Sequence, residues 1–269
     1  FLNYYPALAE AFYSQITFIV ISADRPFDKI DIGDGQTIRQ TGVFEPHLEA
    51  AALLKPDVSH ATQTLLQNPM QKLIPFDASE SVIADIQASI QTYNTKEISR
   101  VLRISIDRKG PVHFNVPMEE PLYGMTSKAL LFDEIDTNQL AESNIEKGLD
   151  SIKKLWNKSL KKWVIIGVLP PGSIEKKLIE RLCEDTSVVV FTETTSNINH
   201  PRAIHSIDTL MASLELIDTK HRAAMSPDIV LTFGGMVVSK KIKSFLRTHA
   251  PKHHWHVNEK KAYNTYYSL

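Results

Sequence analysis

Asp228-Ile-Val-Leu-Thr-Phe233-Gly234-Gly235-Met-Val-Val-Ser239-Lys240-Lys241 is the stretch that decides the fold. A short apolar run rich in β-branched residues reads as a buried strand, two glycines end it, and Ser239 opens a helical segment that runs to His249. The same alternation extends outward on both sides. Trp163-Val-Ile-Ile-Gly167 and Ser187-Val-Val-Val-Phe191 read as strands, Ser173 to Glu184 and Ile207 to Leu216 as helices, and His254-Trp-His-Val257 as a last strand. Strands that alternate with helices predict a parallel, helix-flanked sheet.

The N-terminal half predicts a second layered α/β sheet. A helix over about Tyr4 to Tyr13 leads into the strand Ile16 to Ser22, which Asp24-Arg25-Pro26 terminates. The long excursion from Phe27 to Pro75 is loop-rich, with helical spacing only over Pro46 to Leu54 and His60 to Gln67, and such excursions usually carry function. Ser81 to Tyr93 and Thr95 to Ile104 read as helices, and Val112-His-Phe-Asn-Val116 as a short strand between Gly110-Pro111 and Pro117. From Gly124 to Lys162 the chain is charged and weakly periodic, as a linker plus a solvated helix would be. The expected division is therefore residues 1–123, a linker and helix over 124–162, and a second domain over 163–269.

Composition narrows the function. The 269 residues are 43% apolar and 23% charged, with 30 Lys and Arg against 31 Asp and Glu, which excludes a disordered or fibrous chain. A net charge of −1 sets up no general field for nucleic acid or an anionic membrane, so a charged ligand must be held by a local cluster. The single cysteine, Cys183, excludes an internal disulfide and a Cys-based zinc site, and points to a reducing, cytoplasmic setting. No apolar run is long enough to span a bilayer. A start at Phe1, without Met or a leader pattern, reads as a chain already inside a helix, and the expectation is a fragment.

Three places carry candidate chemistry. At Gly234-Gly235 a strand hands over to a helix, where open α/β sheets bind ligands and where free helix N–H groups favour an anion. Lys240 and Lys241 stand in the first helical turn, which the helix dipole disfavours for cations; an anion seat and two solvated lysines both account for the pair. Arg25, stiffened by Pro26, is aimed from a strand end into the crevice above the sheet, where it could grip a carboxylate or pair with Asp24. Gln36 and Arg39 follow in Asp34-Gly-Gln-Thr-Ile-Arg39. His254 and His256 would share a strand face without a third ligand, so no metal is expected, and Cys183 reads as a core residue. Serine nucleophile chemistry has no Gly-x-Ser-x-Gly support.

Ile21-Ser-Ala-Asp-Arg-Pro26, Gly33-Asp-Gly-Gln-Thr-Ile-Arg-Gln40, Gly110-Pro-Val-His-Phe-Asn-Val-Pro117 with Glu120-Pro-Leu-Tyr123, and Phe233-Gly-Gly-Met-Val-Val-Ser-Lys-Lys241 occur in an order and spacing with a known counterpart. Together they resemble the thiamine-diphosphate-dependent family of 2-succinyl-5-enolpyruvyl-6-hydroxy-3-cyclohexene-1-carboxylate synthases of menaquinone biosynthesis. The resemblance implies the C-terminal part of a pyrimidine-binding domain followed by an incomplete Rossmann-like middle domain. It implies that the whole enzyme decarboxylates 2-oxoglutarate and adds the succinyl unit to isochorismate, with thiamine diphosphate and Mg²⁺ or Mn²⁺, as a homodimer or homotetramer. Arg25, Gln36, Lys240 and Lys241 fall on substrate-binding positions of the family. Gly35 stands where relatives often have Asn, and Lys241 where some have Arg.

The catalytic Glu of the family would precede Phe1 and its diphosphate motif would follow Leu269, so this chain alone is expected to bind no cofactor and to be inactive. Gly33-Asp34-Gly35 is not read as that motif, because a long apolar strand does not precede it and no Asn occurs between Gly35 and Asn68. Two alternatives remain open. One is a thiamine-diphosphate decarboxylase of another 2-oxo acid, since fold does not fix substrate. The other is a non-catalytic metabolite-binding domain, against which stand the lack of G-x-G-x-x-G and of an acidic residue in the appropriate later strand.

Overall fold

A computed structural model describes residues 1–33, 35–58, 74–75, 77–118 and 148–268. The expected helix at His60 to Gln67 and most of the expected linker lie outside those residues. The chain divides into two compact units, Phe1–Ala141 and Glu142–Leu269.

In the first unit a 3-10 turn over Leu2–Tyr4 runs into helix α1 (Tyr5–Tyr13), with a proline in its first turn. Strand β1 (Phe18–Asp24) pairs in parallel with β3 (Pro111–Pro117), which pairs in parallel with β2 (Ala50–Leu53), in the order β1-β3-β2. Between β2 and β3 runs helix α2 (Glu80–Arg108), N-capped by Ser79, whose hydroxyl accepts from Val82 N–H. The two helical segments expected there are one, continuous through Asn94. The Asn94 side chain accepts from Lys55 N–H and donates to Lys55 O, each at 2.9 Å, and so pins the chain leaving β2.

Two expectations in this unit need correction. Pro46 to Leu54 is not helical: after a 3-10 turn at Glu45–His47 the chain forms β2. Alanine and leucine favour a helix by only a few tenths of a kcal/mol each. Pairing of Ala50 and Ala52 with Val112 and Phe114, and packing of Ala52 under Val101 of α2, outweigh that preference. β1 is not buried on both faces. Val20, Ser22 and Asp24 point inward, whereas Ile19 and Ile21 are 45% and 66% exposed, because α2 packs on β2 and β3 and leaves the edge strand uncovered.

The second unit follows the predicted alternation. Helix α3 (Leu149–Lys158) precedes β4 (Lys162–Ile166), α4 (Lys176–Glu184), β5 (Val188–Thr192), α5 (Ile207–Glu215), a short α6 (Thr219–Ala224), β6 (Ile229–Phe233), α7 (Lys240–Thr248) and β7 (His253–Val257). All pairings are parallel, in the order β5-β4-β6-β7. Residues alternate between two cores, as a strand period of two requires. Trp163 and Ile165 pack with Phe191, Met211, Leu214 and Phe245, and Val164 and Ile166 with Ile179, Cys183 and Val190. α6 was not expected: its one sequence signal is Asp218, which caps the N–H groups of Lys220 and His221. The chain leaves β4 towards β5 on one side and returns to β6 on the other. The C-terminal ends of β4 and β6 therefore flank the point where strand order reverses, the place where such sheets open a crevice.

Candidate functional site

Arg25 owes its place to a ladder of buried polar side chains. Ser22 lies beside Asn115 in the β1–β3 register, and Val20 beside His113. Ser22 Oγ is 2.7 Å from His113 Nε2 and donates to Asn115 Oδ1 at 3.2 Å; Asn115 Nδ2 donates to Asp24 Oδ2 at 2.7 Å. With the single hydroxyl proton of Ser22 given to Asn115, His113 donates from Nε2, and every step of the ladder has a donor and an acceptor. Asp24 Oδ1 then accepts the backbone N–H of Arg25 at 2.8 Å. Burial between Phe1 and Phe44 pushes the His113 imidazole down to about 4, against the pull of Asp24.

The rest of this candidate site lies on the loop that follows. Gln40 Nε2 donates to Ala23 O at 2.9 Å, which folds residues 35–40 back onto the strand end that carries Arg25. Gln36 stands four residues earlier, exposed and at φ 60°, in the left-handed region that disfavours a side chain. Arg39 pairs with Asp31 at 2.9 Å on the surface, a contact worth under about 1 kcal/mol. Arg25 is half-buried and Gln36 exposed, and it is Gln40 rather than Gln36 that is tied to the strand end. The ladder behind Arg25 was missed, since its partners are 91 or 93 residues apart in the chain and no local pattern links them.

In the second unit the strand ends are bound to one another. Gly167 N–H donates to Phe233 O, Gly235 N–H to Val168 O and Val168 N–H to Met236 O, at 3.0, 2.8 and 3.3 Å. The glycines serve this contact: a Cβ at Gly167 would lie 2.0 Å from the Gly235 carbonyl oxygen, and Gly234 is at φ +80°.

The helix N-terminus that follows is engaged in part by a carboxylate of the chain itself. Glu193 fills that role, accepting from Ser239 N–H at 2.7 Å through Oε1 and from Val238 N–H at 2.8 Å through Oε2. Ser239 caps α7 by accepting from Ile242 N–H at 3.2 Å, and its hydroxyl donates to Asp208. Glu193 directly follows β5, so an acidic residue does stand at the later strand end where the sequence reading found none. Its carboxylate is bound to main-chain N–H groups there. An acidic residue on the exit of the second strand of an α/β unit is the signal that could have found it.

The two lysines part company. Successive helical residues point about 100° apart. Lys241 is half-buried and meets both carboxylate oxygens of Glu215 at 2.9 Å, whereas Lys240 is exposed and has no partner among the described residues.

His254 and His256 share a face, and His254 is buried. Thr232 Oγ1 lies 2.9 Å from His254 Nε2 and 2.8 Å from His256 Nδ1, and Tyr266 packs edge-on against His254. Burial pushes the His254 imidazole down to about 4 and lowers that of His256. Cys183 is buried in the α4 core, and burial raises its thiol. Among the described residues no group of three or more His, Cys, Asp or Glu could hold a metal ion, and no helix is long and apolar enough to cross a membrane. Gly33 and Gly35 are exposed, and Asp34 between them lies outside the described residues.

A family model described as "Middle domain of thiamine pyrophosphate" matches residues 139–264. Over its whole length the chain is 44% identical to a 2-succinyl-5-enolpyruvyl-6-hydroxy-3-cyclohexene-1-carboxylate synthase of Christiangramia forsetii, covering 44% of that protein, and 42% identical to that of Flavobacterium johnsoniae, covering 42%. Over 96% of the chain it is 31% identical to the synthase of Bacteroides fragilis, covering 41% of it. The chain thus spans less than half the length of the curated relatives it matches.

Proposed function

We propose that this chain, which belongs to the family of 2-succinyl-5-enolpyruvyl-6-hydroxy-3-cyclohexene-1-carboxylate synthases, supplies substrate-holding cations to a thiamine-diphosphate-dependent carboligase. The whole enzyme, a homodimer or homotetramer of the cytoplasm, decarboxylates 2-oxoglutarate and transfers the succinyl unit to isochorismate. Thiamine diphosphate, anchored by Mg²⁺ or Mn²⁺, supplies the carbanion chemistry. The part proposed for the residues of this chain is binding and orienting the substrates.

One observation carries this reading: Lys240 presents an exposed ammonium, without a partner among the described residues, beside the strand ends where an α/β sheet opens to ligands. Both proposed substrates are anionic, and Arg25 offers a second, forked cation at the exit of β1. Magnitudes set what these groups require. A charge pair 4 Å apart is worth about 1 kcal/mol in bulk water and about 4 kcal/mol at an effective dielectric of 20. An exposed lysine therefore holds a carboxylate usefully only when the cleft around it closes and dries. Gln36, able to donate and to accept, would orient the substrate, and Lys241 would join only by leaving Glu215.

The full-length enzyme supplied with thiamine diphosphate, Mg²⁺, 2-oxoglutarate and isochorismate should release CO₂ and form the carboligation product. Turnover of another 2-oxo acid, with no product from isochorismate, would overturn this reading in favour of a different decarboxylase.

A further inference from the structure

We propose that Glu193 is a positioning residue for Lys240: its carboxylate binds the backbone at the N-cap of α7 and so fixes the start of the helix that presents the lysine ammonium to the substrate's negative charge. The inference rests on the reading of Lys240 as a substrate-binding cation.

The two oxygens of Glu193 accept from successive backbone N–H groups, those of Val238 and Ser239, immediately before the first residue of α7, and the same side chain closes a capping box with the Ser196 N–H. Ser239 is the N-cap of α7, so its N–H is one of the groups through which a helix would otherwise bind a phosphate or carboxylate, and the Val238 N–H extends that contact one residue back. Glu193 is itself held from behind. Its backbone N–H donates to Ser196 Oγ at 2.9 Å, and that buried hydroxyl donates to Ile166 O at the end of β4 at 2.6 Å. Leu169 N–H donates to Thr195 O and Asn197 Nδ2 to Leu169 O, which ties the exit of β5 to the exit of β4. A continuous chain of bonds thus runs from two strand ends through Glu193 to the backbone that carries Lys240. A fixed negative charge at the start of the helix also relieves the repulsion between the helix dipole and a lysine in its first turn.

The test is a double-mutant cycle on the full-length enzyme, with the KM for isochorismate as readout. Glu193→Ala and Lys240→Ala should each raise KM about tenfold with kcat little changed, and the double variant should be no worse than Lys240→Ala alone. Glu193→Gln keeps one acceptor oxygen and should fall between wild type and Glu193→Ala. Independent effects that multiply in the double variant, or a KM that Glu193→Ala leaves unchanged while Lys240→Ala raises it, would overturn the proposal. If Lys240→Ala itself leaves KM unchanged, the substrate-binding reading fails, and the positioning role fails with it. Should Glu193→Ala lose its cooperative melting transition, Glu193→Gln paired with Lys240→Ala is read by the same outcomes.

Discussion

Asn115 Nδ2 donates to Asp24 Oδ2 across 2.7 Å, joining two buried side chains on neighbouring parallel strands. This bond turns the end of β1 from a frayed edge into a fixed platform, because the other oxygen of the same carboxylate holds the backbone of Arg25. A buried carboxylate that loses a donor keeps its desolvation cost without compensation.

Asn115→Ala should therefore destabilise the first unit by about 2 kcal/mol, more than loss of an ordinary neutral hydrogen bond. Denaturant unfolding of the full-length protein followed by a probe in this unit measures it. Asn115→Asp, which sets a second carboxylate against Asp24, should cost more than Asn115→Ala.

Acid should loosen both units through buried histidines. His113 and His254 are held near 4, below their ordinary 6.5, so in this range the unfolded chain binds protons that the folded chain refuses. Their contribution to stability is present above pH 6.5 and is lost as pH falls from 6.5 towards 4, at no more than about 1.4 kcal/mol per pH unit for each histidine. At His254 the groups facing the ring are Thr232, His256 and Tyr266, none of them a carboxylate that would favour the charged form. His254→Gln should flatten the stability profile between pH 6.5 and 4, read from melting temperatures of wild type and variant across that range.

Two glycines of the second unit should respond unequally to alanine. At Gly167 the added methyl would lie 2.0 Å from a backbone oxygen of Gly235, which neither strand end can yield, and a loss of about 3 kcal/mol or more is expected. Gly172 has open space around it and is strained only by its φ of +72°, so about 1 kcal/mol is expected. Thermal unfolding of the two variants gives the comparison.

The lysine pair should likewise divide. The Lys241–Glu215 contact is largely solvent-exposed, so Glu215→Gln should change stability by less than about 1 kcal/mol. Lys241→Ala should raise the KM for an anionic substrate by less than Lys240→Ala does, because the Lys241 charge is already engaged. Steady-state kinetics of the two lysine variants, with unfolding of Glu215→Gln, decides both points.

The second unit was legible because three of its strands, β4, β5 and β6, are compact apolar runs between turn residues, and local pattern alone places Trp163, Val190 and Leu231 in strands. β2 was not: Ala50-Ala-Ala-Leu53 carries a helical preference, and only its pairing with β3, some sixty residues on, makes it extended. The positions of Arg25 and of Gly234-Gly235 at strand exits were legible, although the glycines prove to serve a contact between strand ends. The site was illegible where one residue acts through another distant in sequence, as Asn115 does on Arg25 and Glu193 on Ser239. Two adjacent lysines read alike in a sequence, and a helix turns them apart.

Steady-state kinetics of Arg25→Ala and Lys240→Ala in the complete, cofactor-loaded enzyme test most directly the claim that these two cations hold anionic substrates. A rise in KM of at least about tenfold for 2-oxoglutarate or isochorismate in each variant, equivalent to about 1.4 kcal/mol of binding, is the predicted result. Michaelis constants for both substrates within twofold of wild type, in enzymes that melt as wild type does, would contradict it.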